Sequence, residues 1–311
     1  MSKERSCREL FRESLKSTDT EEWLDIYFNR PIGFCITLIG KRFNIHPNTI
    51  TLISIALGVL AAIMFYHHDL LYNLLGVLFL MTANFCDSAD GQLARITGKK
   101  TLLGRVLDGM AGDIWFICIY SSLCLRMMYQ PYPFSTEHWG FTIWIVAYVA
   151  GILCHARQAS LADYYRQIHL FFLFNKKNDE LNNSGQIKAV YDNLPRQAWL
   201  ARLFYFFYKE YCIEQESKTP KFQEFFQAYL QLEDGKTKVI REMFLEGSRP
   251  LMKYTNILTF NVRALCLYVT CLADQPWIYF VFEIVVLTPI YLYMRKRHEQ
   301  LCVRCTARMN G

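Results

Sequence analysis

The sequence predicts an all-α membrane protein: a polytopic bundle of six transmembrane helices with an amphipathic N-terminal interfacial helix and a cytoplasmic helical insertion. Two observations carry that expectation. The 311 residues are 52% hydrophobic and 15% aromatic, which makes a single soluble domain the poorer prior. The net charge of +6 is also spread unevenly, with Lys and Arg gathered at the ends of apolar runs.

Taken in order, residues 1–20 are polar and mixed in charge. Lys3-Glu4-Arg5 is not followed by a signal-peptide apolar run, so cleavage is not expected. Residues 22–42 carry Trp23, Ile26, Tyr27 and Phe28 before Pro31, and Lys41-Arg42 closes a run too short to span comfortably. They read as a helix lying in the interface, with an ordinary packing helix as the alternative. His46-Pro47-Asn48-Thr49-Ile50-Thr51 marks a helix start, because proline suits the first turn and short polar side chains satisfy free backbone donors. The expected spans cover residues 49–66, 70–85, 105–127, 141–154, 254–273 and 277–294.

Between the fourth and fifth spans lies a long insertion. Residues 175–183, 193–195 and 214–221 look like exposed connections, whereas 199–213 and 222–232 have helical amphipathicity. The expected division is therefore a tail and interfacial helix (1–48), four spans (49–160), a membrane-apposed insertion (161–253), two spans (254–294) and a tail (295–311). Connections 67–69, 129–140 and 274–276 contain no Lys or Arg, and the others are rich in them. The positive-inside rule then places both termini and the loop after the second span in the cytoplasm. No basic groove with interleaved aromatics appears outside that setting, which argues against nucleic acid. Many of the eleven cysteines lie within apolar runs and read as buried thiols; Cys302-x-x-Cys305 suits a metal or a disulfide but has no second pair.

The chemistry concentrates in residues 87–113. Asp87 and Asp90 are three apart, so a helix continuing through them presents both carboxylates on one face. Asp108 and Asp113 follow a turn-like Thr97-Gly98-Lys99-Lys100. Four acids at a bilayer edge repel one another unless a cation holds them. Hard divalent ions take oxygen ligands and can clamp a phosphate undergoing displacement. The bland alternative is a charged loop whose acids pair with Arg95, Lys99, Lys100 and Arg105. Gly91 and Gly104 favour the metal reading, since a residue without a side chain lets phosphate approach backbone.

Asp87, Asp90-Gly91, Ala94-Arg95, Gly104 and Asp108 stand at the spacings of the CDP-alcohol phosphotransferase signature, and the chain resembles that family. Family members also commonly enter their first span through a Pro-Asn-x-x-Thr sequence, here Pro47 to Thr51. One position departs: the family's fourth Asp falls on Gly112, with Asp113 one residue later. On a regular helix Asp113 lies roughly 140° around from Asp108. A local π-bulge would restore its register, and one is expected there.

The resemblance implies a CDP-linked donor, release of CMP, and attack by an acceptor hydroxyl on the β-phosphoryl group. It implies two Mg2+ ions, with Mn2+ as the other candidate, held by Asp87, Asp90 and Asp108 and by Asp113 once in register. Asp113 is also expected to deprotonate the acceptor, and Gly91, Ala94, Gly104 and, more weakly, Thr51 to contact the nucleotide. Arg157, Lys253 and Arg263 are candidates for an anionic acceptor or headgroup, with Lys253 alternatively facing lipid headgroups at the membrane edge. An internal arginine such as Arg263 has a second reading, as the partner of a buried acid. The expected anion pocket opens to the cytoplasm between the metal-bearing helices and the later spans. Expected partners are the CDP-linked donor, an alcohol or lipid acceptor and membrane lipids, with room for a homodimer. The direction of transfer stays open: a phosphatidyl group to a small alcohol, or a head group to a lipid hydroxyl. The functional alternative is a lipid-binding or transport protein that retains a non-catalytic metal site.

Overall fold

The computed structural model describes residues 7–14, 17, 19–99, 102–175, 181 and 183–310. Lys3-Glu4-Arg5, Lys100, the middle of the connection expected at 175–183 and the Arg105 side chain lie outside the described residues. Every regular element among the described residues is helical. In chain order these are α1 (Cys7–Ser14), α2 (Arg30–Arg42), α3 (Pro47–Phe65), α4 (Leu70–Thr97), α5 (Leu102–Met127), α6 (Thr142–Tyr148) and α7 (Arg157–Leu173). There follow α8 (Ser184–Asn193), α9 (Trp199–Lys218), α10 (Pro220–Leu230), α11 (Asp234–Ile257), α12 (Phe260–Leu272), α13 (Trp277–Val281) and α14 (Thr288–Asn310). Three π-helical segments, Asp25–Asn29, Val149–Ala156 and Phe282–Leu287, adjoin α2, α6 and α13.

Six helical stretches among the described residues are long and apolar enough to cross a membrane: Pro47–Phe65, Leu70–Thr97, Leu107–Met127, Thr142–Leu173, Gly235–Leu272 and Trp277–Met309. The all-α, six-span membrane class expected from the sequence is therefore the class observed. Several stretches are longer than expected. Thr142–Leu173 has 32 residues, more than the roughly 20 that a hydrocarbon core of about 30 Å requires, so it extends beyond that core. The fifth stretch is not one rod. It breaks after Ile257, where the Leu258 amide turns back to the Tyr254 and Thr255 carbonyls and the Thr259 hydroxyl caps the Asn256 carbonyl at 2.7 Å. The expected connection at 214–221 is mostly helix as well, since α9 continues to Lys218 before Thr219 and Pro220 end it.

The chain divides into two compact units. The first comprises Met1–Ala156 and Asn261–Val285. Here α3 crosses α5 at Gly58: a Cβ on that glycine would lie 2.0 Å from Cδ1 of Trp115, itself 2% exposed. No side chain can therefore stand at this crossing without moving the indole. Helix α2 packs on α4, with the Thr37 hydroxyl 3.0 Å from the Ala89 carbonyl and Gln92 Nε2 donating to the Arg30 carbonyl at 3.2 Å. The Asp25–Asn29 π-helical segment runs into α2 without a break, the Arg30 amide bonding back to the Asp25 carbonyl, and Pro31 follows that widened turn. Just before it, Asn29, Asp25 and Glu22 form an amide and carboxylate cluster with Asn261 of α12, at 2.7 to 3.0 Å. The packing-helix alternative thus describes one face of α2, while Trp23 and Tyr27 stay exposed beside it.

The second unit comprises Arg157–Phe260 and Val286–Gly311. Its core is aromatic: the Phe172, Phe225 and Phe244 rings stack or tilt within 5.7 Å of one another, and Tyr165 stacks on His298 at 3.9 Å. Gln215 Nε2 donates to the Ser160 carbonyl at 2.9 Å, and Gln158 Nε2 to Thr288 Oγ1 at 3.0 Å. The insertion is therefore a packed body, because its amphipathic helices find apolar partners in α7, α11 and α14.

The α3 crossing yields a direct expectation. Gly58→Val should lower the thermal unfolding midpoint of detergent-solubilised protein, with an overpacking cost of about 1–3 kcal/mol. An unchanged midpoint would mean that Trp115 repacks freely and that the crossing is not sterically set.

Candidate metal centre

Helix α4 starts at Asp69, whose carboxylate accepts the Leu71 amide at 2.8 Å, and ends at Gly98, where φ is +68°. A left-handed residue is the usual helix stop, and glycine adopts it without strain. Because α4 does not end with the apolar run at residue 85, Asp87 and Asp90 share one helical face near the membrane edge. Asp108 comes from the first third of α5. One oxygen from each of Asp87, Asp90 and Asp108 lies within 4.8 Å of the other two. Burial is graded: Asp90 is 3% exposed, Asp87 half-buried and Asp108 exposed. The group therefore has a closed inner end and an open outer one.

Thr51 on α3 fixes the closed end. Its hydroxyl is hydrogen-bonded to Asp90 Oδ2 and also lies 3.3 Å from the Pro47 carbonyl. One hydroxyl has one proton, and a carboxylate is the stronger acceptor. Thr51 is 2% exposed, so what the structure gives it is a grip on Asp90. The sequence had suggested nucleotide contact instead.

The other candidates fall as follows. Ala94 and Gly91 lie half-buried on α4, and Gly104 half-buried on α5. A Cβ on Gly91 would meet Arg95 Nη1 at 3.4 Å, an ordinary contact, so packing in this structure does not itself demand glycine there. Arg95 Nε donates to the Ser14 carbonyl at 2.6 Å, and Lys99 Nζ to Asn44 Oδ1 at 2.7 Å. Asp113 stands outside the three-carboxylate group and is exposed. The expected π-bulge is absent, because α5 is α-helical from Leu102 to Met127. A regular helix leaves Asp113 about 140° from Asp108.

Arg157 and Arg263 belong to different units. Arg157, about half exposed, has Nε 3.6 Å from Glu214 Oε1. Arg263 is 1% exposed and ion-paired with Glu283, which is fully buried. The salt-bridge reading is the one this structure bears out for Arg263; its guanidinium is turned to an acid rather than offered to an acceptor. Around that pair, Glu283 Oε1 lies 3.5 Å from His155 Nδ1, and the Tyr120 hydroxyl is 3.4 Å from the same nitrogen and 3.5 Å from the Tyr279 hydroxyl. Two π-helical segments supply His155 and Glu283. The sequence signal that could have found this network is Glu283, a lone acid inside an apolar run.

A second missed residue is Arg126, 3% exposed at the end of α5. It donates to the Phe65 carbonyl and Asn73 Oδ1, both at 2.8 Å, and to Asp274 Oδ1 at 2.6 Å. Eighteen residues of helix, about 27 Å, separate it from Asp108. Arg126 thus ties the α3–α4 and α12–α13 turns to α5 at the end away from the carboxylates.

His298, Glu299 and Cys302 of α14 form another group within 4.8 Å. Glu299 Oε2 already accepts the Lys221 amide at 2.8 Å and so caps α10. Cys302 and Cys305 are buried free thiols.

With the acids placed, comparison with protein families is decisive for the first half of the chain. The family model for CDP-alcohol phosphatidyltransferase matches residues 44–174. Residues 44–174 are a CDP-alcohol phosphatidyltransferase domain. The match takes in Thr51 and all three clustered carboxylates, and it ends at the close of α7. No match was found among curated proteins. The family supports a transferase of phospholipid biosynthesis that uses a CDP-alcohol and an alcohol acceptor. Family members generally use a divalent metal, and an all-oxygen set of three convergent carboxylates suits such an ion.

The buried pair in the first unit makes its own prediction. Arg263→Met alone should cost about 3 kcal/mol or more by leaving the Glu283 carboxylate buried without its guanidinium. Adding Glu283→Met should restore much of that loss in unfolding measured in detergent. Simply additive losses would contradict the pairing.

Proposed function

We propose that the protein catalyses metal-dependent transfer of a phospho-alcohol or phosphatidyl group from a CDP-linked donor to an acceptor hydroxyl, releasing CMP. The observation that carries this reading is the convergence of Asp87, Asp90 and Asp108 inside the matched domain. These three would hold Mg2+, two ions in the full site, with Mn2+ as a substitute. Such ions, when bound, offset charge on the transferring phosphate and on the departing CMP oxygen.

The chain's own residues divide the remaining work. Thr51 holds Asp90 in one rotamer, so the inner ligand is positioned before substrate arrives. We assign nucleotide contact to Gly91, Ala94 and Gly104, which are half-buried on the two helices that carry the carboxylates. Asp113 is exposed on α5 and outside the ligand group; we assign it to the acceptor side, taking the proton of the attacking hydroxyl. Arg157 lies outside α5 and α4 and, being half exposed, keeps a proposed role toward an anionic headgroup. The distribution of Lys and Arg supports a cytoplasmic site and cytoplasmic termini, the side that supplies soluble nucleotide-activated substrate.

Two tests follow. Asp90→Asn keeps side-chain size but weakens a ligand, so folded variant protein should lose most divalent-dependent CMP release and most acceptor-derived lipid. Unchanged turnover across a Mg2+ titration would remove Asp90 from the site. CDP-lipid binding by wild-type protein without CMP release would favour the lipid-binding alternative. Thr51→Val should raise the Mg2+ concentration needed for half-maximal activity about tenfold or more, and Thr51→Ser should rescue it. An unshifted Mg2+ requirement in Thr51→Val would make the hydroxyl merely structural.

A further inference from the structure

The second unit contains a cavity of about 350 Å3 between α11 and α14, lined by residues outside the matched domain. Its lining includes Lys253 and Tyr254 from α11 and Tyr293, Arg297 and Arg304 from α14. The two helices meet closely at one end, where a Cβ on Gly247 would lie 2.3 Å from Leu301 Cδ1. Leu251, 7% exposed, contributes an apolar wall.

Three features define what fits. First, the charge has one sign: the lining has three cations and no acid, and none of the three is ion-paired among the described residues. Lys253 Nζ instead sits over the Tyr254 ring, 4.9 Å from its centroid, and Tyr254 meets Tyr293 edge-on at 5.1 Å. Second, the depth is that of a headgroup. Tyr293 and Met294 end the apolar run of the last span just before Arg295-Lys296-Arg297, and Lys253 immediately precedes the apolar run of the fifth. Tyrosine and long basic side chains at such borders mark the polar edge of a bilayer. Third, the cations are spaced for an extended ligand. Arg304 follows Arg297 by seven residues, nearly the same face of α14 and about 10 Å farther from the apolar span.

We propose that this cavity binds a phosphate-bearing headgroup, with Lys253 and Arg297 on the phosphate and Arg304 reaching its outer polar part. Guanidinium groups match phosphate oxygens in pairs, and the paired tyrosines provide the wall against which the glycerol end lies. The same phosphate chemistry occurs in an acidic glycerophospholipid and in free phosphate. The border position makes the lipid the expected source. The site lies outside the matched transferase residues and does not depend on the catalytic reading.

Native mass spectrometry of full-length, delipidated protein in detergent tests this with phosphatidylglycerol, phosphatidylcholine and inorganic phosphate as separate probes. Wild type should retain phosphatidylglycerol over phosphatidylcholine. Arg304→Gln should weaken the acidic lipid about fivefold, from roughly 1 kcal/mol per basic residue near a charged surface, while Arg304→Lys keeps it. Lys253→Gln with Arg297→Gln and Arg304→Gln should abolish the preference, with the unfolding midpoint checked in the same samples. If inorganic phosphate binds wild type but not the triple variant, and phosphatidylglycerol binding is equal in both, the anion site stands with free phosphate as its ligand. Equal binding of both anionic probes by wild type and the triple variant overturns the site.

Discussion

Mutual repulsion among Asp87, Asp90 and Asp108 is the constraint that the first unit has to satisfy. Their oxygens converge within 4.8 Å, at a membrane edge where water screens poorly and like charges interact strongly. A divalent ion held by the three would convert that cost into binding. The surrounding architecture reads as the means of holding the three in place: the long α4 supplies two on one face, α5 brings the third, and α3 reaches in with Thr51. The α3 and α5 helices can approach because Gly58 leaves room for Trp115.

Charge is buried at other levels of the same unit, and it is compensated by protein rather than by an ion. Arg263 and Glu283 neutralise each other beside His155, Tyr120 and Tyr279. Arg126 finds two acceptors at turn ends and a carboxylate on Asp274. A buried pair of this kind contributes little net stability but punishes the loss of one partner. Both networks therefore act against slippage of the helices on which the carboxylates ride. The contrast is informative: Arg126 and Arg263 are each matched to a carboxylate or to carbonyl acceptors, whereas Asp87, Asp90 and Asp108 gather as an all-oxygen group with Thr51 bonded to its buried member.

Much of this was legible in the sequence. The six apolar runs and the all-α class followed from composition, and the spacing of Asp87, Asp90 and Asp108 gave both the metal reading and the family resemblance. The helical facing of Asp87 and Asp90 depended only on α4 continuing beyond its apolar part, which it does. What failed had physical reasons. Asp113 was expected to enter the site through a π-bulge, but π-helical segments occur at Val149–Ala156 and Phe282–Leu287, where no alignment of acids advertised them. Arg263 could be read as a substrate contact or an ion-pair partner, and the choice required seeing Glu283 twenty residues away. The α9 end was misplaced because Glu214 to Lys218 is polar enough to resemble a loop, although good helix formers keep it helical until Thr219 and Pro220.

The central claim is that three carboxylates on α4 and α5 make a divalent-ion site. Electron paramagnetic resonance of Mn2+ titrated into the full-length protein measures that directly, without substrate or turnover. The account predicts saturable Mn2+ binding that Mg2+ competes away and that Asp87→Asn and Asp108→Asn each weaken. Mn2+ binding that is absent, or that is unchanged in both variants, would contradict it.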